Sequence, residues 1–210
     1  MESVWDKLSE KYDSLWVQKY SLSPTRYKVA EIISRLANSP SFGLLDLGCG
    51  TGQLISELSI LFPESVFVGV DKSQSMLDIA KEKCPSVDFL LSEAENLEIG
   101  FVKMDFITCC HSFPYYQDKG KAADKIKLLV KPGGYAILVQ ASVNSLYDKI
   151  AMWFVEKTAE PAQYLEKNDF LRYFMNGFDL VEQFALKEKW YMPTIYGFVL
   201  RRGLDAGASG

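Results

Sequence analysis

Acids that close apolar runs, glycines at alternate positions and one histidine are the residues in this chain whose type and spacing could do chemistry. Asp46 sits in the run Leu44-Leu45-Asp46-Leu47 and is followed at once by Gly48-Cys49-Gly50-Thr51-Gly52-Gln53. Glycines in such a stretch let backbone approach a ligand with no Cβ in the way, and a carboxylate beside them can pair with a ligand's ammonium group. Asp71 closes a second apolar run, Ser65-Val66-Phe67-Val68-Gly69-Val70, about 20 residues past the glycines. An acid there either accepts from both hydroxyls of a ribose or serves as a helix N-cap or turn aspartate. His111 follows a third run, Asp105 to Cys110. Its imidazole suits general-base work near neutral pH, or it merely hydrogen-bonds and shapes a pocket.

The elements that must hold these residues follow from periodicity. Leu54, Leu58 and Leu61/Phe62 continue the glycine stretch as the buried stripe of a helix, so the segment reads strand, tight turn, helix. It is either a ligand pocket or only a tight connection. The dinucleotide fingerprint is Gly-x-Gly-x-x-Gly; here the third glycine comes one residue early, with Gln53 in its place, which disfavours a nicotinamide cofactor. Further strands are predicted over 65–71, 87–91, 105–110, 135–139, 178–184 and 193–200. Between them lie helices over 24–36, from Ser73 through Met76, Leu77, Ala80 and Cys84, and over 119–130. This alternation gives an α/β chain with a parallel, doubly wound sheet and a crevice at the carboxyl ends of its strands. Residues 3–20 carry Trp5, Leu8, Tyr12, Leu15 and Trp16 on one helical face, either a packed helix or a lid. Lys131-Pro132-Gly133-Gly134 reads as a turn. Helices over 142–160 and 162–175 form a cap or pack as ordinary helices, and Tyr115 and Tyr116 line a pocket or cover the sheet edge.

Asp46-Leu47-Gly48-Cys49-Gly50-Thr51-Gly52 after an apolar strand resembles motif I of the class I S-adenosylmethionine-dependent methyltransferases. Asp71 to Leu77 is similar to that family's segment after strand two. Ser92-Glu93-Ala94-Glu95-Asn96-Leu97 resembles its Gly-Asp-Ala-Glu-x-Leu segment, with Glu93 for the aspartate and Ser92 for the glycine. Leu128-Leu129-Val130-Lys131-Pro132-Gly133-Gly134-Tyr135 resembles a further structural hallmark. The resemblance implies a Rossmann-like sheet of seven strands, mostly parallel with an antiparallel C-terminal hairpin and helices on both faces. It implies a single domain over 1–202, comprising an N-terminal helical lid (1–40), a cofactor-binding core (41–140) and a helical substrate cap (142–175), then a flexible tail at 203–210. The cofactor implied is S-adenosyl-L-methionine, with S-adenosyl-L-homocysteine as product. Carried over residue by residue, the cofactor set is Tyr12, Asp46, Gly48, Cys49, Gly50, Gly52, Asp71, Lys72, Met76, Glu93, Ala94 and Cys110. His111 falls between cofactor and acceptor, and Trp16, Tyr115, Tyr116, Tyr147 and Trp153 are the acceptor-side candidates. The expected activity is methyl transfer to a small molecule. The other readings are a protein or RNA methyltransferase, a non-catalytic cofactor binder and a nicotinamide-dependent oxidoreductase.

Composition narrows these. The 210 residues are 48% hydrophobic and 24% charged, a globular balance, with a net charge of −4. No basic footprint points to nucleic acid, and no Asn/Asp-Pro-Pro-Tyr or Pro-Cys segment follows the strand that ends at Cys110. Four cysteines without framework spacing and one histidine argue against a metal centre and for reduced thiols. No signal-like or membrane-length apolar run is seen, so the expected place is the cytoplasm.

Overall fold

Strands apolar on both faces need cover on both, and the sheet of this protein is covered so. The structure is a computed structural model and describes residues 4–15, 18–100, 103–141, 143, 162–189 and 192–204. Seven strands lie in the order β3-β2-β1-β4-β5-β7-β6: β1 Gly43–Leu47, β2 Val66–Asp71, β3 Asp88–Leu91, β4 Met104–Cys110, β5 Val130–Ala141, β6 Phe178–Leu186 and β7 Ile195–Arg202. β1 pairs in parallel with β2 and β4, β2 with β3 and β4 with β5, whereas β7 is antiparallel to both β5 and β6. The strand order turns back between β1 and β4, the switch point at which such sheets open a crevice. The doubly wound sheet, its single reversed strand and helices on both faces are as the sequence implies.

The described helices are α1 Val4–Tyr12, α2 Ser23–Leu36, α3 Gln53–Leu61, α4 Gln74–Lys83, α5 Lys119–Leu129 and α6 Lys167–Arg172. Side-chain alternation along each strand sorts the core into two clusters. Leu45, Leu47, Ile107, Cys109 and Leu138 face α5 and α6, through Ala122, Ile126 and Phe170. Leu44, Phe67, Phe106, Ile137 and Val139 face α2, α3 and α4, through Ile32, Ile33, Ile55, Leu58 and Leu77.

Three elements differ from the sequence reading. The N-terminal helix stops at Tyr12 and does not run to residue 20; Ser14 N–H returns to Lys11 O and Leu15 N–H to Tyr12 O. Asp13 has left the helical path to reach Thr51 Oγ1, which donates at 2.6 Å, and Lys83. A separate five-residue π-turn, Gln18–Leu22, leads into α2. The expected turn at 131–134 lies inside β5: Met104 pairs with Val130 and Phe106 with Tyr135, so those residues bulge out opposite Asp105, whose carboxylate accepts from Lys131 Nζ at 2.8 Å. The expected helix over 162–175 shrinks to α6, because the aromatic side chains that matter there, Phe170 and Phe174, are buried against Phe113, Phe178 and Phe198. The expected helix over 142–160, with Tyr147 and Trp153, lies outside the described residues, as do Trp16 and the end of the tail.

Candidate functional site

At the β1/β4 switch point the glycine loop leaves β1 and is tied to β2. Gly48 N–H and Cys49 N–H both donate to Val70 O, at 2.7 and 3.0 Å. Gly48 has φ +76°, and a Cβ there would stand 2.3 Å from Ser112 Cβ. Only a residue without a side chain lets the loop after β4 close over the loop after β1 at this point. Ser112 fixes the contact by donating its hydroxyl to Leu47 O at 2.7 Å. Asp71 completes the floor: its two carboxylate oxygens accept from Gly50 N–H at 2.9 Å and Ser73 N–H at 3.0 Å. Ser73, in turn, is the N-cap of α4, with its Oγ accepting from Met76 N–H. Asp71 is therefore a turn aspartate, and it also has lone pairs left over for a ligand, since a carboxylate offers about four acceptor sites.

The crevice that results lies between the glycine loop, the ends of β2, β3 and β4, and the aromatic side chains of α1. Of the residues expected to bind cofactor or acceptor, Tyr12, Gly48, Gly50, Asp71, Lys72, Met76, Glu93, Ala94, Cys110, His111, Tyr115 and Tyr116 all line it. Asp46 and Cys49 line a smaller cavity that shares Tyr12, Gly48, Gly50, Cys110 and His111 with the first. Gly52 lines neither; it starts α3 with φ +72° and packs on Ala80 and Phe89. Glu93 accepts from Asn96 Nδ2 at 2.6 Å at the rim.

Burial sets the electrostatics. Asp46 is 3% exposed and holds Thr108 Oγ1–H at 2.7 Å; removal from water raises its carboxyl to about 7. Burial likewise raises Asp71, which its backbone N–H donors partly offset. His111 is pushed down to about 4 by burial, so its ring is neutral at physiological pH. Tyr116 is held protonated by burial and shares hydrogen bonds with Ser112 Oγ and Cys109 Sγ.

Several lining residues were not singled out in the sequence. Trp5 on α1 meets Tyr115 edge-on with centroids 5.0 Å apart, and Tyr115 OH lies 3.1 Å from Tyr164 OH. Trp5 is on the apolar face of α1, which the sequence left as either a packed helix or a lid, and it lines the crevice. Arg26 reaches the smaller cavity from α2 while bonding Gln18 Oε1 at 3.0 Å and Glu57 Oε1 at 2.8 Å. α1 itself is tied down through Asp6, which accepts from Ser73 Oγ, and through Asp13.

The segment that carries the glycine loop also matches known proteins. Residues 44–134 match the family described as a methyltransferase domain. A putative methyltransferase, 235L, of Invertebrate iridescent virus 6 is 30% identical over 102 residues, covering 49% of this chain and 38% of that protein. The demethylmenaquinone methyltransferase of Thermotoga maritima is 27% identical over 139 residues, covering 65% of this chain and 59% of its own length. The chain thus spans less than two thirds of the curated relatives it matches. Among solved structures, an S-adenosylmethionine-dependent methyltransferase from Clostridium acetobutylicum superimposes with a TM-score of 0.72 at 19% identity, over 95% of this chain and 99% of that one. A Haloferax volcanii putative methyltransferase, solved in complex with the Trm112 activator, gives 0.78 at 13% identity, over 97% and 99%. These structures establish the shared fold.

Proposed function

We propose that this chain, a member of the class I S-adenosylmethionine-dependent methyltransferases, binds S-adenosylmethionine in the crevice and passes its methyl group to a small-molecule acceptor. The observation that carries the reading is the junction of the glycine loop with Asp71 at the switch point, inside the segment that matches the methyltransferase domain. The residues present fit the cofactor. Asp71 keeps acceptor capacity for the ribose hydroxyls after its two backbone bonds. Met76 and Ala94 would give the adenine an apolar bed, and Glu93 at the rim would accept from its amino group. In the adjoining cavity, lined by Asp46 and Arg26, Asp46 would hold the ammonium group and Arg26 the carboxylate of the amino-acid portion.

When bound, the sulfonium supplies an already activated methyl group. The chain's own work is then alignment and exclusion of water. Fixing reactant geometry is worth about 7–11 kcal/mol of barrier in favourable cases. Trp5, Tyr12 and Tyr115 wall the crevice with aromatic faces, which favours a planar acceptor. The name of the Thermotoga maritima relative, a demethylmenaquinone methyltransferase, supports the same choice.

Titration calorimetry with S-adenosylhomocysteine tests the reading. Asp71→Ala is expected to weaken binding by about 1–3 kcal/mol, since ribose hydroxyls then lose a charged acceptor. Unchanged affinity would remove the ribose role, and no affinity in the wild-type protein would remove the function.

A further inference from the structure

Along β4 the side chains alternate, with Ile107 and Cys109 on the α5 side and Phe106 and Cys110 on the α2 side. Continued, the alternation would send His111 to the α5 side. Instead His111 has φ +63°, the one positive value among the non-glycine residues described. That region is strained for a residue with a Cβ, and such strain gathers at functional sites. Its effect here is to swing the imidazole over to α2, where Nε2 lies 3.0 Å from Thr25 Oγ1.

Thr25 is fully buried, and its hydroxyl donates to Ser21 O at 2.8 Å. A hydroxyl has one proton to give. With that proton committed to a carbonyl, Oγ1 has only lone pairs for the imidazole, so Nε2 carries the hydrogen. Nδ1 is then the bare nitrogen. It makes no hydrogen bond to a described residue, while His111 lines both cavities at their junction.

We propose that Thr25 is a positioning residue that holds His111 with the Nδ1 lone pair available to the crevice, and that Nδ1 receives the proton of an acceptor carrying a ring hydroxyl. The proton transfer rests on the methyl-transfer reading above; the ring orientation stands without it. As the hydroxylated acceptor forms its new bond to the methyl carbon, the carbon–sulfur bond breaks with its electrons going to sulfur, and the O–H proton goes to Nδ1. One positive charge is lost at sulfur and one gained on the imidazole, so the net charge of the buried site is unchanged. That balance matters because burial otherwise keeps this ring neutral. The aromatic walls formed by Trp5 and Tyr115 suit a hydroxyl borne on a planar ring.

The chain has a single histidine, so nitrogen-15 labelling of histidine reports on this ring alone. In the full chain, a long-range proton–nitrogen spectrum at neutral pH is expected to show Nε2 fully protonated and Nδ1 bare. Thr25→Val is expected to relax this to the mixed tautomers of a free imidazole, and Thr25→Ser to restore the wild-type spectrum. A protonated Nδ1 in the wild type, or a Thr25→Val spectrum identical to it, would overturn the positioning role. With S-adenosylhomocysteine bound, 1-naphthol should shift the Nδ1 resonance and 1-methoxynaphthalene should not; equal effects, or none from either, would overturn the proton acceptor. An amide proton–nitrogen spectrum of Thr25→Val should keep the wild-type dispersion away from α2 and the loop after β4, which shows that the variant is folded; collapse of that dispersion would make Thr25 a structural residue only. Wild-type protein that fails to bind S-adenosylhomocysteine yet shows the bare Nδ1 would retire the methyl-transfer reading and leave the ring assignment intact.

Discussion

Asp46 is almost wholly removed from water, and its carboxyl titrates at about 7. An acid raised in the folded state holds a proton that the unfolded chain releases near its ordinary value of about 4. Between those two values the folded protein binds more protons than the unfolded one, so stability falls as pH rises. Asp71, raised in the same direction, adds to the slope. Asp46 alone should lower stability by at most about 1.4 kcal/mol per pH unit as pH rises from about 4 to 7. His111, held down to about 4, opposes it up to its ordinary value of about 6.5. Chemical denaturation therefore reads the Asp46 share as the difference between wild type and Asp46→Asn. Asp46→Asn should remove its share of the slope. Identical profiles in wild type and Asp46→Asn would mean that Asp46 is ionised throughout. On the proposed reading, an ammonium group arriving at Asp46 would displace that proton, so cofactor affinity should rise with pH through about 7 in the wild type and be level in Asp46→Asn. That these acids sit at strand ends was legible from the apolar runs before them. That one becomes a buried, largely protonated group and the other a strap for the glycine loop depends on partners far away, Thr108 and Gly50.

At the scale of elements, short segments are held by what they bury. α6 has only six residues, too few to be stable alone. It persists because Phe170 stacks on Phe198 with centroids 5.1 Å apart and meets Phe113 edge-on at 5.0 Å. Phe170→Ala should cost about 3–5 kcal/mol of folding stability, read by denaturant titration; a loss under about 1 kcal/mol would show that the cluster closes over the gap. The same cluster roots Phe113 at the base of the loop that carries Tyr115 and Tyr116, so this variant should also weaken whatever binds there. α1 is the opposite case. Its hold on the core comes from polar ties, Asp6 to Ser73 and Asp13 to Thr51 and Lys83, with Trp5 and Tyr12 turned to the crevice. Asp13→Ala should speed amide exchange across Val4–Tyr12 and leave exchange in β1 and β4 unaltered. The helical period announced α1 and its aromatic face; it could not announce that the face covers a cavity, because period records only which residues share a side.

For the molecule as a whole, ligand binding and stability are linked. S-adenosylhomocysteine at about 100 times its dissociation constant should stabilise the folded protein by about 2.7 kcal/mol, and the added protection should extend to α1, whose Tyr12 lines both cavities. No shift in thermal midpoint would count against the crevice as the cofactor's place. No described helix is long and apolar enough to cross a membrane.

The sequence by itself determined the order of strands and helices, the glycine turn and the acids on either side of it, because these depend on neighbours within a few residues: apolar period, glycine at positive φ, an N-cap serine. Tertiary structure alone decided which distant residues join them at the crevice and its adjoining cavity. It brought Arg26 and Thr25 from α2, Trp5 from α1 and Ser112 from the loop after β4 to one place, and it bent His111 against its own backbone preference toward Thr25. Thr25 and His111 are 86 positions apart, and no local pattern encodes a distance of that kind; closing the sheet does.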